Sequence, residues 1–415
     1  MQKVASESKW LRGFLVAALY VSVYGCATPP PVTAPSAVSA APGVTQPAVP
    51  VPVTPVATTS AVAEPAVIVP IAPVATPVIP AIPVANVEPS APHIALILPL
   101  KSAAFAKSAT ALQQGFLAAA GLEANGLPVR VYPCNDEKAE VTAVYAQAIK
   151  AGAVAVAGPL TRNGVAALAA NPDLDVPTLA LNQMDMARTD QLYFFGLPVE
   201  VEARQMAQWA AKAGLLSATI VRTDTALSKR LAQAFTDSWL KSGGVVIAEK
   251  IYAGDATSLR LIPTDAGNMV FLAAEADKAR LLRPYISNLL PIFATSQVFS
   301  GNTNNLVNYD LAEVRFTDMP WLLQPDHPAV MIYPHATPAL TQDMERLYAL
   351  GIDAYRVLMI LYEHQSANDL PLDGVTGKVQ LNGRTLERSG TLAVIRQGQG
   401  VAWESRPPIL GSKPQ

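Results

Sequence analysis

The sequence predicts an α/β protein of two doubly wound lobes that follows a disordered proline-rich tether. Three observations carry that expectation. From His93 onward, short apolar runs alternate with amphipathic stretches about every 20 to 30 residues, the rhythm of a parallel sheet with helical crossovers. The rhythm restarts near Val201, which asks for a second lobe. Ahead of His93 the composition is too rich in proline to fold.

The 415 residues therefore divide unevenly. Residues 1–25 read as a signal peptide, 26–92 as a Pro/Ala/Val-rich tether, 93–405 as the folded domain and 406–415 as a tail. The first lobe is expected over about 93–198 and 320–368, the second over about 199–319 and 369–405. In the first lobe, strands are expected at 94–98, 129–134, 153–157 and 178–181, with an edge strand at 193–195. Helices at 109–122, 140–151 and 164–169 lie between them, and Asn125-Gly126 marks a turn. In the second lobe, helices at 201–213, 228–242 and 277–289 alternate with strands at 218–222, 245–252, 269–273 and 292–294. Two helical segments, 343–349 and 352–363, and a closing hairpin of 374–382 with 391–395 complete the chain.

The hydrophobic fraction of 51% is inflated by the tether, and no apolar run after Cys26 is long enough to span a bilayer. The net charge of -2 is spread without blocks, which argues against a nucleic-acid partner. Of the two cysteines, Cys134 closes a predicted strand and reads as a buried small hydrophobe. At the front, Lys3, Lys9 and Arg12 precede an apolar stretch at 14–24, then Gly25 and Cys26. In the tether, prolines recur every few residues, as at Pro70, Pro73, Pro77, Pro80 and Pro83. Each fixes φ and removes an amide donor. As polyproline II the tether would span about 200 Å, and as a flexible coil about 50 Å.

No catalytic constellation is visible. The four histidines, His93, His327, His335 and His364, form no zinc-hydrolase pattern, and no Gly-x-Ser-x-Gly elbow occurs. No Gly-x-Gly-x-x-Gly cradle follows a strand, so no cofactor and no metal are expected. Asp136 and Glu137 read as a solvated loop and helix cap.

Several segments carry a resemblance. Val23-Tyr24-Gly25-Cys26 resembles the bacterial lipobox, with Tyr24 where small or aliphatic residues are usual. That resemblance implies lipidation at Cys26, and Ala27 after it leans toward the outer membrane. The lobed organisation resembles the type I periplasmic binding protein fold, two Rossmann-like lobes with three chain crossings. More narrowly, five segments resemble the LppC/LpoA lipoprotein family. They are Ile94-Ala95-Leu96-Ile97-Leu98-Pro99-Leu100, Gly158-Pro159-Leu160, Val176-Pro177-Thr178-Leu179-Ala180-Leu181-Asn182, Tyr348-Ala349-Leu350-Gly351-Ile352-Asp353-Ala354-Tyr355 and Gly374-Val375-Thr376-Gly377. Enteric members of that family carry an N-terminal helical-repeat domain, whose place the tether takes here. The resemblance implies an outer-membrane lipoprotein, not an enzyme, that binds and activates a bifunctional peptidoglycan synthase, a class A penicillin-binding protein. The alternative is a periplasmic solute-binding protein or a sensor for an amino acid or wall fragment. The fold places any ligand between the lobes, at the carboxyl ends of strands. That nominates Ser102, Thr161, Asn182 and Gln183 on the first lobe, with Asp224, Glu275 and Gln297 facing them.

The anchor is tested by labelling with a palmitate analogue in a bacterial host. Incorporation is expected in the wild type and lost in Cys26→Ser; equal labelling of both contradicts the assignment.

Overall fold

A computed structural model describes residues 91–403 apart from 172, 185–189, 304 and 364–369. The signal peptide, Cys26 with nearly all of the tether, and the tail lie outside the described residues.

The first lobe opens with β1 (His93–Leu98), α1 (Ala106–Ala120), β2 (Val129–Pro133) and α2 (Glu137–Lys150). It continues with β3 (Ala153–Ala157), α3 (Arg162–Ala169), β4 (Thr178–Ala180) and β5 (Leu192–Phe195). The second lobe follows with α4 (Val199–Lys212), β6 (Ser217–Arg222), α5 (Ala226–Lys241) and β7 (Val245–Ile251). Then come β8 (Asn268–Ala273), α6 (Ala276–Leu282), β9 (Ile292–Ala294) and β10 (Val314–Asp318). The chain ends with α7 (Pro320–Leu323), α8 (Pro328–Met331), α9 (Gln342–Tyr362), β11 (Leu372–Gly374), β12 (Gly377–Asn382), β13 (Thr385–Ser389), β14 (Thr391–Arg396) and β15 (Gln399–Ala402).

Two sheets result. One has the order β11-β12-β13-β5-β4-β3-β1-β2, the other β15-β14-β10-β9-β8-β6-β7. Each has a parallel centre and an antiparallel extension. All six residues of β1 are buried, because α1 and α9 cover one face and α2 and α3 the other. In the second sheet α4 and α5 cover one face, and α6 with short 3-10 turns the other.

Four expectations need correction. Residues 369–405 do not all join the second lobe: β11, β12 and β13 pair into the first sheet, and β14 and β15 into the second. The expected closing hairpin is accordingly two. The first turns at Gly383-Arg384, with Gly383 at φ 60°, and the second at Gln397-Gly398, with φ of 50° and 75°. This extension also moves β5 off the edge, since β13 pairs parallel to it. Finally, the two late helical segments are one helix, α9, and Gly351 does not break it.

Gly351 exists for a close helix crossing. A methyl group there would overlap the Leu112 carbonyl and the Phe116 amide of α1. Reciprocally, a methyl group on Gly115 of α1 would overlap the Tyr348 backbone of α9. The two helices touch backbone to backbone, which only glycine permits. Two of the family-like segments also meet here. Asp353, fully buried on α9, accepts from Val375 N (3.1 Å), Thr376 N (2.8 Å) and Thr376 Oγ1 (2.6 Å). A side chain on Gly374 would displace that carboxylate. Sequence separation hid this, because the two segments lie more than twenty residues apart.

Gly351→Ala adds helix propensity worth about 1 kcal/mol, yet forces the helices apart at about 1–3 kcal/mol for overpacking in a close-packed core. A lower urea midpoint is expected, and an unchanged or higher midpoint contradicts the close-contact reading.

Candidate functional site: the cleft at the carboxyl ends of the strands

Loops leaving β1, β2, β3 and β4 border a cavity of about 760 Å³. Ser102, Phe105, Glu137, Thr161, Asn182 and Leu347 are among its walls. Three of the four first-lobe residues nominated from sequence are therefore together. Gln183 is not among the lining residues; its backbone amide is held by Asn182 Oδ1 at 3.0 Å.

Three polar side chains of this cavity, Glu137, Thr161 and Asn182, are spent on the protein itself. Gly158-Pro159-Leu160 leads into the N-terminus of α3, where free amides make a natural anion site. Glu137 fills it. Its carboxylate accepts from Leu160 N at 2.9 Å and from Thr161 N at 2.6 Å. Thr161 Oγ1 caps α3 by accepting from Gly164 N at 3.1 Å. Asn182 Nδ2 donates to Leu160 O at 3.0 Å. Glu137 is thus no solvated loop residue but is 2% exposed, whereas Asp136 does cap α2 as expected. A side chain on Gly164 would collide with Glu137, so the amide cradle and its occupant are fitted to each other. Sequence reasoning missed Glu137 because an acidic residue in a first helical turn is commonplace.

The second-lobe residues do not share this cavity. Glu275 and Gln297 line a separate one of about 340 Å³, with Asp343 and Arg346. Asp224 lines neither; it is exposed and pairs with Lys229 at 2.8 Å and Arg222 at 3.7 Å. Its hydrogen bond and charge pairing with Lys229 hold its carboxyl below the ordinary range.

Two buried ion pairs lie where the lobes join, and neither was foreseen. Arg346 of α9 pairs with Asp318 at the end of β10 (2.6 Å) and donates to Ser296 O at 3.1 Å. Glu202 of α4 pairs with Arg388 of β13 (2.7 Å) and accepts from Ser296 N at 3.0 Å. All four side chains are 8% exposed or less.

Among the described residues, no group of three or more metal-ligating side chains could hold an ion. Burial pushes the Cys134 thiol up to about 12, with Glu137 and Glu140 adding to the effect. His335 packs on Trp321 at 4.4 Å, and His327 caps α8. Among the described residues, no helix is long and apolar enough to cross a membrane.

Burial raises the Glu137 carboxyl above its ordinary 4.5, against the pull of the two amides. A raised folded-state pKa means that the stability it contributes is full below about 4.5 and declines as pH rises through the folded value. Glu137→Gln should therefore cost most in acid, about 1–3 kcal/mol for an unpaired buried amide. The gap to wild type should narrow as pH rises above the ordinary carboxylate value in thermal melts; a widening gap contradicts the burial-dominated site.

Comparison with known proteins places this geometry. The family model described as "LppC putative lipoprotein" matches residues 84–263 and 263–393. The penicillin-binding protein activator LpoA of Haemophilus influenzae is 28% identical over 297 residues, covering 69% of this chain and 50% of its own. LpoA of Dickeya chrysanthemi is 28% identical, covering 67% and 47%. The chain thus spans about half the length of the curated relatives it matches. Among solved structures, a "putative branched-chain amino acid ABC transporter" from Chromobacterium violaceum superposes with a TM-score of 0.65. It is 36% identical and covers 73% of this chain and 100% of its own. The C-domain of Haemophilus influenzae LpoA, described as a regulator of PBP1A, gives 0.63 at 25% identity, covering 75% and 100%. The two lobes have the type I periplasmic-binding-protein-like fold, and the chain belongs to the LppC family.

Proposed function

We propose that this chain is an outer-membrane lipoprotein, anchored through Cys26, that binds and activates a class A penicillin-binding protein and so regulates peptidoglycan synthesis. It acts by contact and carries out no chemistry of its own. The observation that carries this reading is Glu137. Free amides at the start of a helix are a ready site for a ligand's carboxylate. Here an internal carboxylate holds them. The relatives named as penicillin-binding protein activators support the same reading. A tether of the proposed length would carry the domain from the outer membrane toward a synthase in the inner membrane, and tethering raises the local concentration of the pair.

A second reading is a solute-binding protein or sensor for an amino acid or small wall fragment. Its support is the 36% identity to the Chromobacterium violaceum chain. Two measurements separate the readings. Surface plasmon resonance against the class A synthase of the same organism should give micromolar or tighter binding, and stimulated transpeptidation. Thermal-shift screening with amino acids and muropeptides should be flat. A stabilisation of about 3 kcal/mol at a hundredfold excess over Kd would instead favour the second reading.

A further inference from the structure

The second sheet carries a pocket that neither reading uses. The antiparallel strands β14 and β15 extend this sheet beyond β10 and beyond the face covered by α4. The step between the last turn of α4 and that extension forms a pocket of about 520 Å³. Its walls are Trp209 and Ala213 beside α4's end, Phe293 of β9, Leu392 of β14, and Trp403. It sits at the amino-terminal side of β10, away from the strand ends that border the cleft cavity.

Its floor is a guanidinium. Arg315 Cζ lies 4.3 Å from the Trp403 ring centroid and 5.3 Å from that of Phe293, so two aromatic rings fix it in place. Among the described residues, Arg315 has no hydrogen-bond acceptor and no ion-pair partner. Burial lowers its pKa from the ordinary value, but a guanidinium stays charged at neutral pH. Lys212 stands exposed at the rim, and among the described residues it has no acidic partner either. Among the described residues, none that lines the pocket is acidic. Glu313, the nearest carboxylate to act on Arg315, is engaged by Arg396 at 3.6 Å.

We infer that this pocket is the docking point for the protein partner, and that it takes an acidic side chain flanked by an apolar or aromatic residue. The inference rests on the activator reading and names the surface it uses. Charge decides the sign of the occupant: two cations, one of them rigid and unpaired, ask for a carboxylate. Trp, Phe and Leu supply an apolar wall for its neighbour, and Trp and Arg together make the composition typical of a binding hot spot. A wall polymer fits less well. Sugar hydroxyls need paired donors and acceptors, and the described walls hold no Asn, Gln, Asp or Glu to offer them.

The test uses the full chain and the class A synthase of the same organism, by surface plasmon resonance over a salt series. Arg315→Gln should weaken binding tenfold or more. Lys212→Glu, on an exposed rim residue that leaves the melting temperature unchanged, should weaken it severalfold and flatten the salt dependence. If the wild type binds and both variants bind equally well, the pocket is not the docking point and the activator reading survives. If the wild type does not bind, the activator reading itself fails and the inference falls with it. Two other outcomes also overturn the inference. One is unaffected synthase binding with lost binding to purified sacculi, which assigns the pocket to the wall. The other is unaffected synthase binding with equal thermal destabilisation by Arg315→Gln and by removal of residues 404–415, which assigns it to the chain's own tail.

Discussion

Two buried ion pairs hold the lobes in register, and the other features depend on that register. The chain passes between lobes three times, after β5, after β10 and after β13. Each passage carries one member of a pair. Glu202 follows the first, Asp318 ends at the second, and Arg388 sits just before the third. Arg346 reaches across from α9 to close the set, and Ser296 serves both pairs through its carbonyl and its amide. Such pairs add little net stability over an apolar core of equal volume, because desolvation offsets most of the attraction. Removing one partner is another matter, at about 3–5 kcal/mol for the stranded charge. Their value is therefore positional. The lobes meet in one arrangement because any other leaves a charge buried alone.

That constraint bears on function through the cleft. A solute-binding protein of this fold must offer unspent donors between the lobes and let the lobes move around a ligand. Here the donors at the start of α3 are already taken by Glu137, and Thr161 and Asn182 satisfy backbone groups of their own lobe. The residues nominated on the second lobe line a different cavity or none. The amides that would make this cavity an anion site are thus neutralised by the protein's own Glu137. On the second lobe, away from this cavity, Arg315 is presented between two aromatic rings.

The fold class was legible because its signal is local. An unbroken apolar run such as 94–98, short and followed by a helical pattern, reads as a strand covered on both faces, and the helices between such runs follow from spacing. What the sequence concealed depends on contacts across long separations. Gly351 looks like a helix break until the Leu112 carbonyl is placed beside it. Residues 374–382 look like half of a local hairpin until β12 pairs with β13, which in turn finds β5 some 190 residues earlier. β10 was not foreseen at all, because Arg315 interrupts its apolar pattern, and that arginine is now the most distinctive surface group of the second lobe. Glu137 was misjudged for the same reason: burial is a property of the fold, not of the residue.

The central claim is that recognition runs through a protein surface and not through a solute in the cleft. Hydrogen–deuterium exchange of the chain, with its class A synthase and separately with an amino-acid mixture, tests it most directly. Protection by the synthase at α4, β14 and β15, with no change at residues 158–164 from amino acids, is the predicted result. Protection of residues 158–164 by an amino acid, with the second-lobe surface unchanged by the synthase, would contradict it.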